Sequence, residues 1–130
     1  MSVTFLNPDG VPKPASNYAQ AALVPASARR LLISGQVGVR ADGSLAEGYE
    51  GQAEQAWKNI LAVLAAASMS VRQLVKITVY DAAPGNVAAY RAIRDRMLEG
   101  HAPAATYVVV QALASPSFLT EIEAEAVACD

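Results

Sequence analysis

The sequence predicts an α+β domain in which two helices pack on one face of a mixed sheet. Three observations carry this expectation. The stretch LTEIEAEAVA alternates, with Ile122, Ala124 and Ala126 on one side and Glu121, Glu123 and Glu125 on the other, which is the period of a strand with one face on a core. The stretch EGQAEQAWKNILAVLAAA instead repeats its apolar residues every three or four positions, as a helix lying on that core would. The elements run strands, helix, strand, helix, strands, and that order suits two helices over one sheet.

Taken in order, NYAQAALV over residues 17–24 reads as a strand, and Pro25 with the small residues after it marks a turn. RLLISGQVGV (30–39) reads as a second strand interrupted near Gly35, where a glycine signals a bulge or the close approach of another group. RADGS supplies an Asp-Gly turn. The first helix is predicted over 50–67, with Ala53, Ala56, Trp57, Ile60, Leu61 and Leu64 as its apolar stripe and Glu54 paired with Lys58 on the far side. LVKITVY (74–80) is a β-branched strand. DAAPGNVAAYRAIRDRML (81–98) is a turn and a second helix, with Val87, Tyr90, Ile93 and Met97 inward and Gly100 closing it. TYVVVQAL (106–113) and residues 119–128, joined through ASPS, complete the strands.

A chain of 130 residues is long enough for one domain (1–130) with a real core and no staples. A net charge of −2 without blocks of like charge gives no electrostatic footprint for nucleic acid, so the expected partner is a small molecule or a protein. The lone Cys129 permits no internal disulfide and has no companions for a metal site, which fits a reducing, cytoplasmic setting and a bystander thiol. MSVTFLNPDG lacks the features of an export signal, and no apolar run reaches the roughly twenty residues of a membrane span. Hydrophobic residues make up 53% of the chain but aromatics only 6%. Alanine and valine therefore build thin, closely packed layers, and so apolar a small domain is expected to hide surface against copies of itself.

Few residues suggest chemistry. The three glutamates of the last strand read first as a wet sheet face. Glu121, which opens that strand, is the one placed to project into a cleft as a general base for water. His101, the only histidine, has no metal-binding companion and no nucleophile to serve, and reads as a structural loop residue. SGQVG matches neither phosphate-binding pattern, so its glycines speak for backbone geometry. Tyr18 can donate a phenolic hydrogen bond to a ligand, although a strand tyrosine more often packs, and Trp57 is core.

The succession NYAQA with Tyr18, LLISGQVG with Ser34, Gly35 and Gln36, DGSLAEG, NILAVLAAA with Asn59, VKITVY, HAPAATYVVV and TEIEAEAV with Glu121 resembles the RidA family, also called YjgF, over nearly the whole chain. The resemblance implies a chorismate-mutase-like α+β fold and a homotrimer with ligand clefts at the subunit interfaces. It also implies hydrolysis of reactive imines and enamines to keto acids and ammonia without metal or organic cofactor. In such proteins an arginine holds the substrate carboxylate through two hydrogen bonds, which suits the planar guanidinium. A glutamate matching Glu121 assists water, and groups matching Tyr18 and Gly35 shape the pocket.

Aligned on Pro103, the family arginine falls on Ala105, and bulky Tyr107 stands two residues later. No arginine occurs from Glu99 through Ser115, so no small shift restores it. Charge-assisted hydrogen bonds are worth about 1.5–3 kcal/mol each, so losing a bidentate pair weakens binding of an imino acid by orders of magnitude. The first expectation is therefore a divergent member with Glu121 as base, Tyr18 as donor and Gly35, Ala105 and Tyr107 as wall, acting on a ligand other than the usual amino-acid-derived imine. The second is the ordinary deaminase with Arg91 or Arg40 as substitute clamp. The third is a non-catalytic trimer that binds a ligand or a protein.

Overall fold

In the computed structural model, which describes residues 2–130, the chain is built on a four-stranded mixed sheet. Its strands are β3 (Arg29–Val37), β4 (Leu74–Asp81), β5 (Ala104–Val109) and β6 (Thr120–Ala128), in the spatial order β3-β6-β4-β5. β6 is antiparallel to both β3 and β4, while β5 is parallel to β4. A parallel pair needs a crossover, and helix α2 (Val87–Leu98) supplies it. A separate ribbon pairs β1 (Thr4–Leu6) with β2 (Ala21–Leu23).

The strand expected over 17–24 is thus only three residues long. Residues 15–17 bend away from extended structure, and Ala19 makes a single parallel bridge to Ala104. β5 also differs from expectation, beginning two residues earlier and ending at Val109. The Asp81 carbonyl takes up the Val110 N–H at the end of β4, where the parallel pairing stops. The break expected near Gly35 is a bulge between Ile33 and Gln36.

Helix α1 (Gly48–Ala66) buries Ala53, Ala56, Trp57, Ile60 and Leu64 as its pattern requires, with Leu61 only half-buried at the margin. Its charges do not pair as expected. Glu54 bonds Arg96 of α2 at 2.9 Å rather than Lys58, because the two helices lie side by side and bring Arg96 within reach. Gln52 is buried and donates to the Ser117 carbonyl while accepting the Leu119 N–H, which fixes the approach to β6. Asn59 donates to the Val37 and Val39 carbonyls where β3 ends. Gly38 admits α1 closely, since a Cβ there would lie 2.5 Å from the Cα of Gln52.

The two helices share one sheet face. Between them and the inward residues of β4 and β6 lies the core, including Trp57, Ile60, Leu64, Ile77, Val79, Ile93 and Ile122. On the other face stand Lys76, Thr78, Tyr80, the three glutamates and Leu32, the last 66% exposed. No helix of the described residues is long and apolar enough to cross a membrane.

Candidate functional site

Strand parity decides what faces the helices at the sheet's β5 edge. Ala105 pairs with Ile77 and Tyr107 with Val79, and both partners are buried core residues, so Ala105 and Tyr107 point the same way. Thr106 and Val108 point outward. Above them α2 presents Val87, Tyr90, Arg91 and Arg94, positions three and four apart that share one helix face. The third wall is the 16–18 segment, held against the entry to β5 by the Ala19 N–H on the Pro103 carbonyl (2.9 Å) and the Asn17 amide on the His101 carbonyl (3.2 Å). These elements enclose a cavity of about 210 Å³ lined by Ser16, Tyr18, Arg91, Arg94, Ala105 and Tyr107, among others.

Arg94 is the best-buried cation, 5% exposed. Its Nε donates to Asp95 Oδ1 at 3.0 Å, and Nη1 reaches the Ser16 hydroxyl at 3.4 Å. Nη2 lies 2.9 Å from Asp95 Oδ1 yet completes no hydrogen bond. The guanidinium therefore borders the cavity with donor capacity unused. Arg91 is half-buried beside it and takes part in none of the ion pairs of the described residues.

Beneath Tyr107 is a carboxylate with no cation. Asp81, wholly buried, accepts through Oδ2 from the hydroxyls of Tyr49 (2.8 Å) and Tyr107. Its Oδ1 has no partner, nor has the hydroxyl of Thr120, directly opposite on β6. Burial, then the Asp81 hydrogen bond and charge, push the Tyr107 phenol well above the usual tyrosine range, with Arg91 pulling the other way. Tyr49 is raised by burial and by Asp81, and Tyr90, whose ring lies 5.7 Å from that of Tyr107, chiefly by burial.

Of the six residues singled out in the sequence, Tyr18, Arg91, Ala105 and Tyr107 converge on this cavity. Gly35 and Glu121 do not. They meet on the opposite face of the sheet, where a Cβ on Gly35 would fall 2.7 Å from Glu121 Cδ. The grouping of Glu121 and Gly35 with the other four is thus not made within one chain, because Glu121 has the outward parity of β6. Arg40 is also elsewhere, on the turn after β3 with Nη1 on the Ser44 hydroxyl. His101 is a loop residue whose Nε2 donates to the Leu74 carbonyl at 2.7 Å, and Cys129 is exposed.

Sequence reasoning missed Arg94 and Asp81, although each carried a signal. Arg94 falls four residues after Tyr90 on the inward stripe of α2. Asp81 continues the inward parity of Val75, Ile77 and Val79. A charge at a core parity position marks a buried polar site.

The profile of the endoribonuclease L-PSP family matches residues 10–128. The chain is 31% identical to protein HMF1 of Saccharomyces cerevisiae over 98% of both chains. Among solved structures it is similar to the Rid-family protein YyfB of Yersinia pestis, with a TM-score of 0.86 at 34% identity over 97% of this chain and 98% of that one. It is similar also to RidA of an Antarctic Psychrobacter, with a TM-score of 0.72 at 31% identity over 95% and 98%. Agreement in sequence over nearly the full length and in the mixed sheet with its two helices leads to one conclusion: the chain belongs to the endoribonuclease L-PSP family, that of the RidA (YjgF) proteins.

Proposed function

We propose that this protein hydrolyses small imines or enamines bearing a carboxylate, bound in the cavity under α2, with Arg94 and Arg91 in place of the arginine that Ala105 lacks. One observation carries the reading: Arg94, almost wholly buried, borders the cavity beside Ala105 with donor capacity unused. A guanidinium so placed is complemented by a carboxylate, which it can grip through two parallel hydrogen bonds. This favours the ordinary deaminase with a substitute clamp over a divergent enzyme whose ligand lacks the carboxylate. The clamp residues are Arg91 and Arg94 rather than Arg40.

Family resemblance supplies the rest of the proposal, a homotrimer with ligand clefts at its subunit interfaces. In that assembly Glu121, contributed by another copy, would act on the ligand as a hydrogen-bond acceptor. Tyr18 would donate to the ligand, and Gly35 would leave room for the Glu121 side chain. The family's name speaks of an endoribonuclease, but a net charge of −2 offers a polyanion no attraction.

The test is an assay in which an amino-acid oxidase or a serine/threonine dehydratase generates the imine and keto-acid formation is followed. Acceleration by the wild type, with a raised KM in Arg94→Ala, supports the reading. A rate no higher than buffer removes the hydrolase. Calorimetric binding of keto acids in that case would leave the non-catalytic trimer.

A further inference from the structure

Tyr107 belongs to two environments at once. It lines the cavity, and its hydroxyl donates to Asp81, a carboxylate that no solvent reaches. The groups around Asp81 come from every element packed against it: Tyr49 from α1, Tyr107 from β5 and Thr120 from β6. Arg91 and Tyr90 of α2 lie beyond Tyr107. Neither partner of the Asp81 carboxylate is a cation, and one of its oxygens is unfilled. The Tyr107 hydroxyl thus joins the cavity directly to the buried Asp81 carboxylate through one hydrogen bond, and the second carboxylate oxygen is free of any partner.

We propose that Tyr107 and Asp81 form a proton relay, giving the cavity a base within the same chain. The inference rests on the hydrolase reading and deepens it. Water attacks the carbon of a protonated imine, the new C–O bond forms, and the C=N π pair moves to nitrogen. The proton lost by water passes to Tyr107 Oη as the phenolic proton passes to Asp81 Oδ2, leaving a carbinolamine and a neutral Asp81. The same path run backwards protonates the nitrogen. It then leaves as ammonia while the hydroxyl oxygen becomes the carbonyl and gives its proton to solvent. Tyr107 is the catalytic residue, and Asp81 acts through it as a positioning residue that holds the proton.

The relay moves two protons in one step, so the proton inventory of kcat in H2O–D2O mixtures is bowed in the wild type. Tyr107→Phe keeps the ring against Tyr90 but breaks the path. The expected result is a fall in kcat of tenfold or more at unchanged KM, with the inventory straightened. Asp81→Asn is expected to do the same, and if that variant fails to fold, Tyr107→Phe decides alone. A smaller fall in Tyr107→Phe overturns the relay, and with it a loss of turnover in Glu121→Gln would assign the base to Glu121. Absence of any wild-type turnover removes the hydrolase reading and the relay together, whereas wild-type turnover that survives in Tyr107→Phe removes only the relay.

Discussion

Glu121 lies across Gly35 at the bulge of β3, so close that a side chain at position 35 would occupy the place of its carboxyl group. Gly38, three residues on, faces backbone instead, the Cα of Gln52 at 2.5 Å from a built Cβ. The two glycines should therefore respond differently to alanine. Gly35→Ala needs only the free end of a glutamate to swing aside and is expected to change stability by less than about 1 kcal/mol. Gly38→Ala must push α1 off the sheet and is expected to lose about 1–3 kcal/mol. Urea midpoints of the two variants check this.

Arg94→Ala removes the buried half of the proposed clamp. KM for a carboxylate-bearing imine is expected to rise about tenfold to a hundredfold, the worth of one charge-assisted hydrogen bond. Arg91→Ala, more exposed, is expected to raise it less. Kinetics at saturating substrate separate this from an effect on kcat.

Ala105→Arg restores the residue that the family resemblance expects at this position. Its guanidinium would enter a cavity that already holds two, with no added carboxylate to balance it. The expected outcome is lower activity than wild type with carboxylate-bearing imines. An increase would mean that Arg91 and Arg94 do not grip the substrate.

Alkaline solution should reveal the buried phenols. Tyr49, Tyr90 and Tyr107 all hold their protons more tightly in the folded chain than in the unfolded one. Their contribution to stability is therefore complete below about pH 10, the unfolded tyrosine value, and is lost as pH rises above it. For Tyr90, the most buried, the slope is about 1.4 kcal/mol per pH unit. At pH 11 phenolate absorbance should show fewer ionised tyrosines in native protein than in urea, where all five titrate freely.

The layered fold was legible because two periods dominate the sequence. The alternation of residues 119–128 and the stripe of α1 each match the observed burial at nearly every position. What escaped was set by contacts distant in sequence. Glu54 looks like the partner of Lys58 until α2 is placed and Arg96 claims it. Glu121 looks like a companion of Tyr107 until strand parity puts them on opposite faces. The edge of the cavity was readable in Tyr18, Ala105 and Arg91. Its buried charges were passed over, Asp81 because it opens the turn signal and Arg94 because the inward stripe was traced through apolar residues alone, although the parity of their own elements turns both inward.

The order of strands also governs how this protein is made. β6 lies between β3 and β4 in space but follows them both along the chain, so the pairing of Leu31 with Ala126 closes a loop of about three quarters of the chain. As the polypeptide leaves the ribosome, β3 has no neighbour in the sheet until residues 120–128 arrive, and α1 waits over half a floor. Ile33, Ile77 and Val79 meanwhile remain open to other nascent chains. Such long-range pairing folds slowly and is exposed to aggregation. A product cut short before Thr120 is expected to be insoluble rather than partly active, which makes the last strand the step that commits the chain to its fold.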